Sequence, residues 1–193
     1  LDVTRAPDIS APNGVAGTLL LDPETINIAA AADNNITGAS PFQPAVAGTA
    51  TLNVATLNGA LNGGGTVIVD TTGGGAVTGD INVNAPVSKT SGPNATLELR
   101  AHNDINISQS ITSSIGLLNM VLNADQDSSG GGAINFGTVT LDAFGGTINA
   151  AAKTVNIAGG VTATVNSAFS IGALNLSVGT LTGAGNITVS GSL

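Results

Sequence analysis

His102 is the only histidine in the chain, so it limits the acid–base chemistry that the sequence could support. A Ser-His-Asp triad would have to use His102, and no Gly-x-Ser-x-Gly elbow presents a nucleophilic serine. We therefore interpret His102 as a residue of a surface turn rather than as a catalytic base.

Carboxylates could cleave polysaccharides if they were clustered with basic partners on one face. The acidic candidates are scattered along the chain: Asp70, Asp80, Glu98, Asp104 and Asp142. Asp80 and Asp104 share a repeat position, so stacking of the repeats would bring that pair together. We interpret these acids as solvated side chains and expect no enzymatic activity.

The spacing of Asp125, Asp127 and Ser129, followed by Gly130, imitates the opening of a calcium loop. The twelfth position holds Phe136, where a calcium loop needs a bidentate acid. Asp125 and Asp127 are therefore only weak candidates for metal ligands, and we expect no metal and no other cofactor.

Five asparagines begin Asn-x-Ser/Thr sequons, which are acceptors for glycosylation in exported proteins. They are Asn35, Asn94, Asn106, Asn175 and Asn186. Sequons also arise by chance in a chain this rich in Asn, Ser and Thr, so the pattern gives candidate modification sites and no more.

The composition excludes several kinds of partner. The net charge is -8 at pH 7, which disfavours nucleic acid and anionic lipid. No run of about 18 apolar residues is present, so we expect no membrane insertion. The chain is 42% hydrophobic, but it has 4 Phe and neither Trp nor Tyr, which predicts a core of small aliphatic side chains.

The candidate functional residues must be positioned by short strands, because apolar residues alternate with polar ones almost throughout the chain. Examples are Leu52 and Val54, Leu97 and Leu99, and Ile105 and Ile107. Clusters of Gly, Asn, Asp and Ser between these pairs indicate turns. No segment has the pattern of a convincing amphipathic helix.

Internal repetition decides how the strands are arranged. Residues 79–88 recur as residues 103–112, a shift of 24 positions (103 minus 79). A period in the low twenties, with two or three strands in each unit, is typical of one coil of a parallel β-helix. Aligned asparagines at the turns would then hydrogen-bond from coil to coil. The alternative is a β-sandwich, which more often holds large aromatic residues between its sheets.

We therefore predict an all-β fold, a parallel β-helix (β-solenoid) of about nine coils that spans residues 1–193 as a single segment. Residues 31–49 contain Asn, Pro and little alternation, so we predict a loop or excursion from the stack there. We predict a second loop at residues 125–132.

Several phrases of the sequence resemble the filamentous-haemagglutinin-like exoproteins of Gram-negative bacteria. GTLLLDPETINI at residues 17–28 is similar to their "GTxLLDP…ITI" phrase. ATLELRAHNDINI at residues 95–107, with LNADQD at 122–127 and GGGAI at 130–134, resembles their "LxLxAxxDIxI…LNADxDxxGGGAI" repeats. GTLTGAGNITV at residues 179–189 resembles their "GTLTGxGxITV" coils.

The resemblance implies a right-handed β-helix that is secreted through an outer-membrane two-partner transporter. It implies a location outside the cell or on the surface of a Gram-negative bacterium, and a structural or adhesive role as a shaft segment in cell adhesion or in the biofilm matrix. Its partners would be a host or matrix receptor, or other copies of itself. The alternatives are the subunit of a self-assembling extracellular filament and, ranked last, a carbohydrate-active β-helix enzyme.

Overall fold

The protein is described by a computed structural model over residues 25–71, 79–128, 130–177 and 179–191. These residues form eighteen strands and one α-helix, α1 (Val54–Gly63). The strands are β1 (Ile26–Ala29), β2 (Ile36–Thr37), β3 (Gln43–Pro44), β4 (Ala50–Asn53), β5 (Gly65–Asp70), β6 (Ile81–Val83), β7 (Val87–Lys89), β8 (Ala95–Arg100), β9 (Ile105–Ile107), β10 (Ile111–Ser113), β11 (Leu118–Asn123), β12 (Ile134–Phe136), β13 (Val139–Asp142), β14 (Thr147–Ile157), β15 (Thr162–Val165), β16 (Ala168–Leu176), β17 (Thr180–Thr182) and β18 (Ile187–Val189).

All but two of these strands lie in three parallel stacks. Stack A has the order β4-β1-β6-β9-β12, followed by the second halves of β14 and β16. Stack B has the order β5-β8-β11, followed by the first halves of β14 and β16 and then by β18. Stack C has the order β7-β10-β13-β15-β17. Because β14 and β16 belong to both A and B, these two stacks form one strongly curled, 11-stranded sheet.

From β6 onward the chain visits the stacks in a fixed order, A then C then B, and we call each such passage a coil. Parallel neighbours cannot be joined by a tight hairpin, so the chain must travel around the core before it pairs with its own previous coil. Ile81 pairs with Ile105 and Val87 pairs with Ile111, which confirms the repeat of 24 positions. The arrangement is consistent with a parallel β-solenoid, and the β-sandwich alternative is wrong.

The alternation along each strand sets which side chains face the core. In β8 and β9, Leu97, Leu99, Ile105 and Ile107 are all fully buried, whereas Glu98 lies half-buried on the other face. This is the orientation that the alternation of apolar and polar residues predicts. Stacked coils lie roughly 4.8 Å apart, so each inward aliphatic side chain packs on its equivalent in the next coil.

Helix α1 was not predicted, because the alternation of Leu52 and Val54 was interpreted as a single strand. The strand ends at Asn53, whose side-chain oxygen accepts a hydrogen bond from the backbone N–H of Ala55 (2.7 Å) and so caps the helix. Leu57 and Leu61, four residues apart, are fully buried against the core. The helix therefore covers the first end of the stacks.

Side chains of α1 also replace the missing strand above β7, the first strand of stack C. The side-chain oxygen of Asn58 accepts from the backbone N–H of Ser88 (3.0 Å). The side-chain oxygen of Asn62 accepts from the backbone N–H groups of Thr90 (2.9 Å) and Ser91 (3.1 Å). These donors would otherwise be unpaired at the edge of a sheet.

The segment 31–49 covers the first ends of the other two stacks, and within it β2 and β3 form a short antiparallel pair. Asn34 forms an antiparallel bridge with Thr51 on the outer edge of β4, in stack A. Phe42 forms a parallel bridge with Val69 on the outer edge of β5, in stack B. We call residues 31–49 and helix α1, with these edge contacts, the cap.

The other end of the stacks, at β17 and β18, has no such cover among the described residues. Leu176 is 45% exposed and Ile187 is 38% exposed there, in contrast to the fully buried leucines under the cap. In the part of the chain that the structure describes, no helix is long and apolar enough to cross a membrane.

Candidate functional site

A ladder of asparagines runs along the outer face of stack A, where each asparagine lies between two inward apolar residues. Its hydrogen-bonded members are Asn27, Asn82, Asn106, Asn135 and Asn156. From Asn82 onward, each side-chain amide nitrogen donates to the side-chain oxygen of the preceding asparagine in the ladder, over 2.8 to 2.9 Å. The aligned asparagines were expected at turns, but they lie within the strands, because a parallel register places equivalent residues directly above one another.

The aspartates that precede β6 and β9 extend this ladder. Asp80 accepts from the side-chain amide of Asn103 (2.8 Å) and from the backbone N–H of Asp104 (3.0 Å). Asp104 in turn accepts from the backbone N–H of Ala133 (2.8 Å) and from the amide of Asn135 (3.3 Å). The two aspartates do occupy equivalent positions, and each carboxylate is hydrogen-bonded to the next coil.

Asp70, Glu98 and Arg100 come together on the outer face of stack B, and the interpretation of Asp70 as a solvated side chain is wrong because this side chain is buried. The Arg100 Nε donates to the Glu98 carboxylate (2.8 Å), and an Arg100 Nη lies 3.7 Å from the Asp70 carboxylate. The hydrogen bond that Arg100 donates to Glu98 raises the pKa of Arg100 above its ordinary value, against a smaller opposing effect of burial. Arg100 therefore stays charged across the physiological range.

The geometry of this group is that of a structural ion cluster. The Asp70 side chain is only 6% exposed, so it has little access to a polymeric substrate. The parallel register pairs Asp70 directly with Arg100, which explains the contact. The signal was present in the sequence, since VIVD in β5 matches LELR in β8 position by position.

His102 lies at the corner that follows β8, half-buried rather than fully exposed. Its backbone N–H donates to the Thr71 hydroxyl (3.0 Å), which ties two successive coils together. The Nδ1 of His102 and the side-chain oxygen of Gln126 are both buried, and neither has a hydrogen-bond partner among the described residues. The structure thus places His102 in a turn, as interpreted from the sequence.

Lys89 is a fully buried cation that the sequence interpretation missed. Its ammonium donates to the backbone carbonyls of Ile115 (2.6 Å), Ser91 (2.7 Å) and Gly92 (3.2 Å). Three carbonyls match the three donors of an ammonium, so the charge is solvated by backbone dipoles. The signal was its inward position, two residues after the buried Val87.

The two weak metal candidates lie in the corner loop that follows β11. Asp125 has a positive φ of 50°, and its carboxylate accepts from the backbone N–H of Gly130 (2.8 Å). Its backbone carbonyl accepts from the ammonium of Lys153 (3.0 Å), which places a cation beside the loop. Asp127 is exposed. Among the described residues, no group of three or more His, Asp or Glu side chains could hold a metal ion.

The five sequon asparagines differ in how accessible the structure leaves them. Asn106 is a rung of the ladder, so attachment of a glycan would break its hydrogen bonds. Asn35 exchanges two hydrogen bonds with the backbone of Val46, and Asn94 accepts from the backbone N–H of Leu117 (2.9 Å). Asn175 and Asn186 are exposed. Glycosylation of any of them stays a prediction.

No protein-family model matches the chain, and searches of curated proteins and of solved structures find no match. The resemblance to filamentous-haemagglutinin-like exoproteins therefore stays a prediction from the sequence. The organised features of the described surface are ladders and ion pairs that link one coil to the next.

Proposed function

We propose that this chain is a shaft segment of a secreted bacterial surface exoprotein and that it acts in cell adhesion or in the biofilm matrix. In this proposal it is a right-handed parallel β-helix of about nine coils, roughly 40 Å long at about 4.8 Å per coil. It would be exported through an outer-membrane two-partner transporter and reside on the surface of a Gram-negative cell or in the surrounding medium.

The observation that carries the proposal is the continuity of the stacked structure. One apolar core runs from Ile26 to Leu174, and the outer face is linked from coil to coil by the asparagine ladder. Such a stack is held together by contacts between neighbouring coils, which makes it suited to span a distance. The sequence resemblance supplies the biological setting.

The filament alternative requires complementary surfaces at both ends of the stack, because head-to-tail contacts must repeat. The cap occupies the edges of all three stacks at one end, with Asn34, Phe42 and Asn62 in the places of strand residues. This observation favours a shaft over an end-to-end filament.

The enzyme alternative has one observation in its favour, the group formed by Asp70, Glu98 and Arg100. Arg100 pairs with both carboxylates and the Asp70 side chain is buried, so we propose a structural role for the group. Glu98→Gln tests this proposal. The substitution should lower the stability of the fold slightly and should have no effect on any hydrolysis of extracellular polysaccharides. A polysaccharide-cleaving activity that Glu98→Gln abolished would contradict the proposal.

Removal of one whole repeat, Gly79 to His102, tests the shaft function. The deletion takes out β6, β7 and β8, one strand from each stack, so β5 can pair with β11 and α1 can cover β10. We expect a folded, shorter protein whose parent exoprotein still reaches the surface and still supports adhesion.

A deletion of residues 79–90 is the matched control, because it removes strands from stacks A and C only and should prevent folding. Adhesion that disappears in the whole-repeat variant, although the shortened exoprotein is folded and displayed, would contradict the proposal. That result would assign a specific binding site to the deleted residues.

A further inference from the structure

Three pairs of threonines have the same pattern, Thr-x-Thr, in or beside the last three strands of stack C. The pairs occupy residues 138–140, 162–164 and 180–182. The first two pairs are 24 positions apart (162 minus 138), but the third follows after only 18 positions (180 minus 162). A fixed repeat period therefore does not show that the three pairs belong together, whereas the pairing of the strands does.

The pairing register arranges the six threonines in two columns that run along the stack. Thr140 pairs with Thr164, and Thr164 pairs with Thr182, which gives the first column. In the second column, β15 and β17 are paired in the same register, and the backbone N–H of Thr162 donates to the hydroxyl of Thr138 (3.4 Å). We call these six residues the threonine face.

The threonine face is open, and its side chains are stiff. The residue between the two threonines of each pair points into the core, so both threonines point outward. Four of the six threonines are exposed and two are half-buried, so no described segment covers the face. Branching at Cβ restricts the χ1 torsion of threonine. The hydroxyl and methyl groups therefore lose little conformational entropy when they bind a partner.

The spacing of the threonines is regular in two directions. Paired strands lie about 4.8 Å apart, and the two threonines of one pair lie about 6.6 Å apart because each strand residue rises about 3.3 Å. Oxygen atoms on a prism face of ice form a rectangular net of similar dimensions. Water molecules that the hydroxyl groups of the face bind are therefore spaced much as they are in ice.

The surroundings of the threonine face carry little charge. Four described connections from stack A to stack C contain no ionisable residue, and they are residues 84–86, 108–110, 137–138 and 158–161. On the other side of the face lies Asp142, whose carboxylate accepts from the backbone N–H of Phe144 (2.9 Å) and from the amide of Asn166 (3.5 Å). A charged side chain holds its own hydration shell, so a face with few charges suits an uncharged crystal of water.

We propose that the threonine face binds the surface of ice crystals. It combines a repeat in two directions, stiff hydroxyl and methyl groups and a low charge, and binding to an ordered layer of water requires all three. Ice binding can be measured on the purified chain without export or adhesion. Failure of this proposal is therefore distinguishable from failure of the shaft function.

Slow growth of ice from a solution of the chain tests the proposal. A protein that does not bind ice is pushed into the remaining liquid, whereas we expect the wild-type chain to be enriched in the ice. Thr164→Lys places a long charged side chain in the centre of the face and should lower this enrichment at least about tenfold. Exclusion of the wild-type chain from ice would overturn the proposal.

Thr154→Lys is the matched control, because Thr154 is an exposed threonine of stack A whose partner in the next coil is Ala173. It should leave the enrichment in ice unchanged. Both variants should keep the melting temperature within about 2 °C, since both side chains point outward. If Thr164→Lys does not fold, Thr162→Lys, at an exposed position of the same face, takes its place. Equal enrichment of the folded face variant and the wild-type chain would overturn the proposal.

A crystalline polysaccharide is the other surface with a regular repeat, so co-sedimentation with microcrystalline cellulose and chitin gives a second test. We expect no binding that depends on the threonine face, because the face has no aromatic side chain on which a sugar ring stacks. Binding to either polysaccharide that Thr164→Lys abolishes and Thr154→Lys leaves intact would overturn the assignment of the face to ice.

Discussion

The two ends of the stack are finished differently. At the first end, side chains of the cap hydrogen-bond to the outermost strands, and Leu57 and Leu61 seal the core. At the other end, β17 and β18 have no described strand beyond them, and Leu176 and Ile187 are partly exposed. The outermost strand of a parallel sheet has backbone N–H and C=O groups without strand partners, and at the first end side chains of the cap bind some of these groups.

This difference teaches that the polar side chains of the cap act as substitutes for a missing strand. A helix cannot pair with a strand through its own backbone, since its N–H and C=O groups are used internally. Asn58 and Asn62, one turn apart, present their side-chain oxygens instead. Substitutions at the capped end should therefore lower the stability of the fold more than equivalent substitutions at the other end, at β17 and β18.

The largest effect is expected from one substitution made at both ends. Leu61→Asp buries a charge under the cap and should lower the free energy of unfolding by about 3 kcal/mol or more. Leu176→Asp, at a partly exposed site, should cost less than about 1 kcal/mol. Chemical denaturation measures both values, and similar losses at the two sites would remove the distinction between the ends.

Lys89→Met tests the polar anchoring beneath the capped end. The change leaves three backbone carbonyls without the lysine donor in a partly buried site and should cost about 2 kcal/mol. Lys153→Met is the control, because Lys153 makes one described hydrogen bond at a half-buried site, and it should cost less than about 1 kcal/mol. Equal losses in thermal or chemical denaturation would contradict the role given to Lys89.

Asn62→Ala tests the substitution of a side chain for a strand. It leaves the backbone N–H groups of Thr90 and Ser91 unpaired, so we expect a loss of about 1 to 2 kcal/mol and faster amide exchange at these two residues. Asn84→Ala, at an exposed corner, should stay within about 0.5 kcal/mol. If Thr90 and Ser91 exchange as slowly as before, the cap does not work through Asn62.

The smallest effect is expected within the asparagine ladder. Asn106→Ala removes an interior rung with two hydrogen bonds and should cost about 1 kcal/mol. Asn175→Ala, at the exposed last position in register with Asn156, should cost less than about 0.5 kcal/mol. Urea denaturation should separate the two variants, and the reverse order would show that the ladder does not stabilise the stack.

The stacks could be predicted from the sequence because their signals are local and repeated. Alternation placed Leu97 and Leu99 in the core, and the recurrence of residues 79–88 gave the register of stacks A and C. Both signals follow from the geometry of a strand and of a parallel stack, so they can be recognised in the sequence without any knowledge of tertiary contacts.

The cap and the ion cluster were not predictable in the same way. Helix α1 contains two Gly and two Asn, which are poor helix formers, so its stability depends on the burial of Leu57 and Leu61 against the stacks. The contact of Asp70 with Arg100 was not predicted because the length of the coils varies: Thr71 and His102 lie 31 positions apart, against 24 between Asn82 and Asn106. Where insertions between strands differ in length, the pairing register of two strands cannot be found from a fixed repeat period.

Amide hydrogen exchange, read strand by strand, tests the difference between the two ends most directly. If the cap closes the first end, the amides of Ser88 and Thr90 at the edge of stack C should exchange slowly, at rates close to those of the interior strand β10. The amides of β17, at the other end of the same stack, should exchange much faster. Equal exchange at β7 and β17, or faster exchange at β7, would contradict the account.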